Sequence, residues 1–138
     1  MCTLQYVAPE YIPRIWPHVE KFISRGLEKS ANELNADHIK VYLTQGSQDL
    51  LIMLDETDSI IGAIVIQLST YPNERIAFIT SLGGSRLKEV WAQLLDWCKG
   101  KGATTLRGCV AESSVRFWRS RLNCEMRYIV MEKKLWAE

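Results

Sequence analysis

Hydrophobic positions change their period several times along the chain, and each change predicts an element. Thr3 to Val7 reads as a short strand that Pro9 breaks. From about Ile12, the residues Ile15, Val19, Phe22, Ile23 and Gly26-Leu27 recur at three- and four-residue spacing, which predicts a helix. Pro13 falls in its first turn, where a missing N–H costs nothing, whereas Pro17 lies a turn further in and is expected to kink it. A second helix is expected from near Asn35, with Ile39, Tyr42 and Leu43 on one face and Gly46 as its stop.

The period then shortens. Asp49 to Leu54 is a brief apolar run and reads as a buried strand, Asp55 to Ser59 as a hairpin loop, and Ile60 to Ser69 as the return strand. After a turn at Pro72-Asn73, Arg75 to Ser81 completes a three-stranded antiparallel meander that ends at Gly83-Gly84. From Ser85 onward, Leu87, Val90, Trp91, Leu94, Leu95 and Cys98 form the clearest helical stripe in the chain, closed by Gly100 and Gly102. Thr104 to Val110 follows as a strand, so this unit implies a right-handed parallel crossover. Ser113 or Ser114 can cap a helix running through Leu122, and Glu125 to Leu135 alternates as a last strand. The expected order is β-α-α-β-β-β-α-β-α-β, without repeats or linkers, in one domain over 1–138.

Composition narrows the function classes. The chain has 138 residues, 47% hydrophobic and 24% charged, with a formal net charge of +1. That is ordinary for a globular α/β domain and gives no strong overall field toward nucleic acid or membrane. The basic residues Arg107, Arg116, Arg119, Arg121, Arg127, Lys133 and Lys134 nevertheless outnumber Glu112, Glu125 and Glu132 in the last third. They form either an anion-binding patch or a solvated helix face followed by a guarded edge strand. The first residues lack a basic region followed by an apolar core, and no run approaches the ~20 residues of a membrane helix, so a cytoplasmic, reducing setting is expected. Cys2, Cys98, Cys109 and Cys124 are scattered and distant from His18 and His38, so no metal site is expected. Both histidines are expected to face water. Five tryptophans are many for this length; Trp91 lies on its helix stripe, Trp97 beside it and Trp136 near the end of the chain.

Three stretches carry a resemblance to a known family. DETDSIIGAIVIQL looks like a hairpin in which a glycine, Gly62, follows the turn; SLGGSRLKEVWAQLLDWCKGKGATTL looks like a cofactor-gripping strand–turn–helix–strand; FWRSRLNCEMRYIVMEKKL looks like a final helix, turn and strand. Together with the element order they resemble the GNAT superfamily of acyl-CoA-dependent N-acyltransferases over nearly the whole chain. The "SLGG…LL" turn is similar to that of small GNAT-like proteins encoded by tailed phages. The resemblance implies a mixed, mostly antiparallel sheet flanked by helices. It also implies acetyl-CoA as cofactor, an amine acceptor near the first two helices, and a host-cytoplasm or virion location.

The anion chemistry of the turn has its own physical logic. A helix N-terminus offers unpaired N–H groups to a pyrophosphate, and glycines let backbone approach it closely. The candidate cofactor residues are Leu82, Gly83, Gly84, Ser85 and Arg86, with Arg119 added from the last helix. Against the family signature R/Q-x-x-G-x-G/A, Leu82 stands at the Arg/Gln position, Ser85 at the first small position and Leu87 at the second. Against F-Y-x-x-L-G-F, Trp118 stands at the Phe, Arg119 at the Tyr, Leu122 at the Leu, Asn123 at the Gly and Cys124 at the second Phe. Arg119 does not release its proton, so it cannot replace a tyrosine acid. Glu74 is the candidate base, with Glu112 less favoured, and Ser81 and Tyr128 offer hydroxyls. Two other readings remain: a non-catalytic GNAT-fold protein acting through protein contacts, and nucleic-acid binding through the arginine-rich end.

Overall fold

The computed structural model describes residues 2–28 and 34–136. Five strands form one sheet in the order β1-β2-β3-β4-β5: β1 (Thr3–Val7), β2 (Asp49–Leu54), β3 (Ile60–Thr70), β4 (Arg75–Gly84) and β5 (Thr105–Gly108). The first four are mutually antiparallel, and β5 lies parallel to β4. Helices α1 (Ile12–Glu28) and α2 (Ala36–Gln45) are joined to β1 by a 3₁₀ turn at Pro9–Tyr11, and α3 (Leu87–Gly100) connects β4 to β5. A second 3₁₀ turn leads into the short α4 (Val115–Ser120).

The sheet is covered on both faces, which is why β2 reads as a continuous apolar run. Leu50 and Ile52 pack with Ala63 and Val65 against α1 and α2, through Trp16, Val19, Ile23, Ile39 and Leu43. On the other face Leu51 and Met53 join Ile64, Ile66, Ala77 and Ile79 under Val90, Leu94 and Cys98 of α3. Trp118 carries α4 onto this layer by meeting Trp91 edge-on, with ring centroids 5.7 Å apart. Gln93 of α3 accepts from Leu4 N–H at 2.8 Å and donates to the Cys2 carbonyl at 3.0 Å, so one amide caps the backbone at the start of β1.

Pro17 lies inside helix α1. Asn35 starts α2 through a reciprocal box, in which its side chain accepts from His38 N–H and His38 Nδ1 accepts from Asn35 N–H, both at 3.1 Å. His38 thus does in this box what Glu or Gln does elsewhere. Strand β4 continues through Gly83 and Gly84, so the turn is made by Ser85 and by Arg86 in the left-handed region at φ 66°. Asn123 takes a left-handed conformation, φ 55°, as expected of a residue standing for glycine.

The last predicted strand is corrected. Residues 125–135 form no strand, and Met126, Tyr128, Ile129, Val130, Met131 and Leu135 are exposed. Alternation makes a strand only where a neighbouring edge supplies a ladder, and β5 ends at Gly108 after four residues.

Candidate functional site

Two features of β4 create an opening. Its pairing with β5 covers only Ile76↔Thr105 to Ile79↔Gly108, whereas its pairing with β3 runs from Arg75 to Gly84. Where β5 stops, a bulge interrupts the β3–β4 register: Ile66 faces Ile79 and Val65 faces Ser81, leaving Thr80 as the extra residue. A bulge bends its strand and sharpens the twist, so β4 leaves β5 at the same point. Beyond it, the β5-facing edge from Thr80 to Gly84 has no strand neighbour among the described residues.

The opposite side of β4 is sealed against α1. The Ser81 hydroxyl, almost fully buried, donates to the Ile23 carbonyl at 2.9 Å. A Cβ at Gly83 would lie 1.9 Å from the Phe22 carbonyl oxygen, and one at Gly26 would lie 2.7 Å from the Leu82 nitrogen. Gly83 and Gly26 are therefore required by helix-on-strand contact. Gly84 is closed off by β3 instead: it is exposed and has φ 122°, but it lies opposite Gly62, and a Cβ there would lie 2.6 Å from the Ile61 carbonyl oxygen.

Beyond Gly84, Ser85 and Arg86 lead to the α3 N-terminus, where no side chain caps the helix. The Arg86 guanidinium is already occupied. Its Nη2 donates to Glu56 Oε1 at 2.7 Å and to Glu89 Oε1 at 2.9 Å, while Nε bonds Glu89 Oε2. Arg86 holds both carboxyls below the usual carboxylate range, and they in turn raise the guanidinium's pKa. The turn therefore presents exposed backbone and small residues, with one cation outnumbered by the two carboxylates that hold it.

On the α1/α2 side the opening meets a second polar feature. Thr80 Oγ1 donates to Gln48 Oε1 at 2.8 Å, and Gln48 is only 6% exposed. Gln48, Gln67, Ser47, Tyr42 and Leu34 line a hollow of about 250 Å³. A larger hollow, about 650 Å³, lies along α4 between Ser113, Arg116, Phe117, Ser120 and Arg121, all of them exposed.

Solved structures share the overall fold that carries this opening. An aminoglycoside acetyltransferase, meta-AAC0020, from an uncultured soil metagenomic sample superposes with a TM-score of 0.68 at 15% identity, over 97% of this chain and 96% of that one. Glucosamine-6-phosphate N-acetyltransferase from Arabidopsis thaliana gives 0.61 at 15% identity, over 98% and 99%. The BH1408 protein of Bacillus halodurans, as a tetramutant, gives 0.68 at 14%, over 96% and 99%. The chain has the GNAT acetyltransferase fold. No family profile and no curated protein matches it in sequence.

Within this GNAT fold, the predicted cofactor residues divide. Leu82 and Gly83 lie on the α1 seam, and Gly84, Ser85 and Arg86 face outward at the turn. Arg119 is exposed on α4. The two predicted catalytic residues meet a common cation instead. Glu74 Oε1 accepts from Thr105 Oγ1 at 2.9 Å, its Oε2 lies 3.9 Å from Arg107 Nη2, and the Arg107 guanidinium stands 5.7 Å from the centre of the Tyr128 ring. This cluster sits at the closed end of the β4–β5 pair. Glu74 precedes Thr80 by six residues, about 20 Å of extended strand. Glu112 is exposed in the turn before α4. Among the described residues no group of histidine, cysteine and carboxylate side chains suits a metal, and no helix is long and apolar enough to cross a membrane.

Sequence reasoning passed over Thr80, Gln48 and Gln67. The available signal was polar residues inside otherwise apolar strands: Thr80-Ser81 in β4 and Gln67 in β3.

Proposed function

We propose that this chain is a GNAT-type acyltransferase that takes an acyl-CoA in the β4–β5 opening and an amine acceptor on the α1/α2 side. The observation carrying this reading is the parting of β4 from β5 at the Thr80 bulge. The residues present fit such a cofactor. The unpaired edge from Thr80 to Gly84 offers backbone donors and acceptors to an amide-bearing arm, while Ser85, Arg86 and the first N–H groups of α3 would receive a pyrophosphate. Bound there, the cofactor would supply an activated acyl thioester. Arg86 reaches the phosphates by exchanging Glu56 and Glu89 for them, so those carboxylates weaken binding without abolishing it.

The acceptor side holds Gln48, Gln67 and Thr80, none of which takes a proton from an amine near neutral pH. The amine therefore arrives as the free base, and Glu74 with Tyr128 act at most on a distant part of a long acceptor. Titration calorimetry with acetyl-CoA tests the reading. Saturable binding is expected, and its absence at millimolar cofactor contradicts it.

A second reading is favoured by one observation: the exposed apolar side chains Met126, Tyr128 to Met131, Leu135 and Trp136. Large exposed apolar patches mark contact surfaces. On this reading the GNAT fold is a non-catalytic scaffold that works through protein contacts, in the virion, assembly or host-directed role that phage resemblance suggests. Light scattering on the purified chain, with and without acetyl-CoA, separates the two. A monomer that binds acetyl-CoA counts against the second.

A further inference from the structure

The hollow beside Thr80 is a small site with one deeply built wall. Gln48 is 94% buried by its 6% exposure, and the Thr80 hydroxyl occupies one end of its amide. The other end has no hydrogen-bond partner among the described residues, yet no fully buried side-chain atom is left unsatisfied. That end therefore opens on the hollow, whichever way round the amide sits. Around it stand Gln67, with a free amide of its own, the Ser47 hydroxyl, which bonds the Tyr42 carbonyl at 3.2 Å, the half-buried Tyr42 and the apolar Leu34. None of the five lining side chains carries a charge.

This lining selects by charge as well as by hydrogen bonding. An ammonium or carboxylate entering it would lose water and gain no opposite charge from these five side chains. A neutral hydroxyl or amide can pair with two glutamine amides and a serine, each able to donate or accept. Tyr42 and Leu34 offer a flat apolar surface to the C–H face of a ring. The volume, about 250 Å³, is below the ~300–1,000 Å³ of drug-sized pockets and suits one ring.

We propose that this hollow binds an uncharged, hydroxyl-rich ring of about monosaccharide size. The assignment of that ring to the acyl acceptor rests on the acyltransfer reading above; the binding itself does not. The test uses the full chain without cofactor, and follows the side-chain amide signals of Gln48 and Gln67 by NMR. The probes are methyl α-glucoside, N-acetylglucosamine and spermidine. Both sugars should shift these signals saturably in the millimolar range, and spermidine should not. Gln67 is exposed, so Gln67→Ala keeps the fold and should weaken both sugars about fivefold, as loss of one neutral hydrogen bond implies. Shifts with spermidine alone, no shift with any probe, or unchanged sugar binding in Gln67→Ala would each overturn the proposal. Sugar binding by a chain that fails to bind acetyl-CoA would uphold the site and reject the acyltransfer reading.

Discussion

The two sides of β4 are built on opposite principles. Toward β3 and α1 the strand is paired along its whole length and packed so tightly that two glycines have no room for a Cβ. Toward β5 it is paired over four residues and then left open. The contrast teaches that a polar strand end can be stable and accessible together, because the sealed side holds the backbone while the open side presents it. Ser81 belongs to the sealed side through Ile23, and its neighbour Thr80, displaced by the bulge, reaches Gln48 beside the open one.

The contrast breaks most severely at the seam. Gly83→Ala forces a Cβ into the Phe22 carbonyl, and should lower unfolding free energy by about 3 kcal/mol or more, read by urea denaturation. Neither partner there is a flexible side-chain end, so α1 must move. Ser81→Ala removes a buried donor and should lower unfolding free energy by roughly 1–2 kcal/mol in the same assay.

These two effects also mark how far the sequence could be read. The element order was legible through α4, because the hydrophobic period changes sharply at Asp49 and again at Ser85. Gly83-Gly84 was legible as special, but as an anion-binding turn. Its first glycine is also dictated by Phe22, some sixty residues away in the chain, and no local pattern reports that contact. The balancing of Arg86 by Glu56 was hidden for the same reason, since the hairpin loop comes beside α3 only in the folded sheet. Residues 125–135 show the opposite error: a correct alternation in search of an edge that β5 is too short to provide.

The remaining predictions sharpen the open side. If the acceptor must arrive as a free base, kcat/KM should rise about tenfold per pH unit below the acceptor amine's own pKa, with no plateau near neutrality. Replacing both balancing carboxylates, Glu56→Gln with Glu89→Gln, frees Arg86 and should tighten acetyl-CoA about three- to tenfold, measured by calorimetry. The carboxyls are deprotonated down to unusually low pH, so this difference should persist across the neutral and mildly acidic range. Smallest of all, Glu74→Gln should change turnover less than about threefold, because its partners Thr105 and Arg107 lie at the closed end.

The central claim is that the unpaired edge of β4 receives the cofactor. Amide hydrogen exchange of the full chain, with and without saturating acetyl-CoA, addresses it residue by residue. The account predicts new protection confined to Thr80–Arg86 and the first turn of α3, with the amides of Ile76–Ile79 unchanged. Protection absent from Thr80–Arg86 in a chain that has bound acetyl-CoA would contradict it.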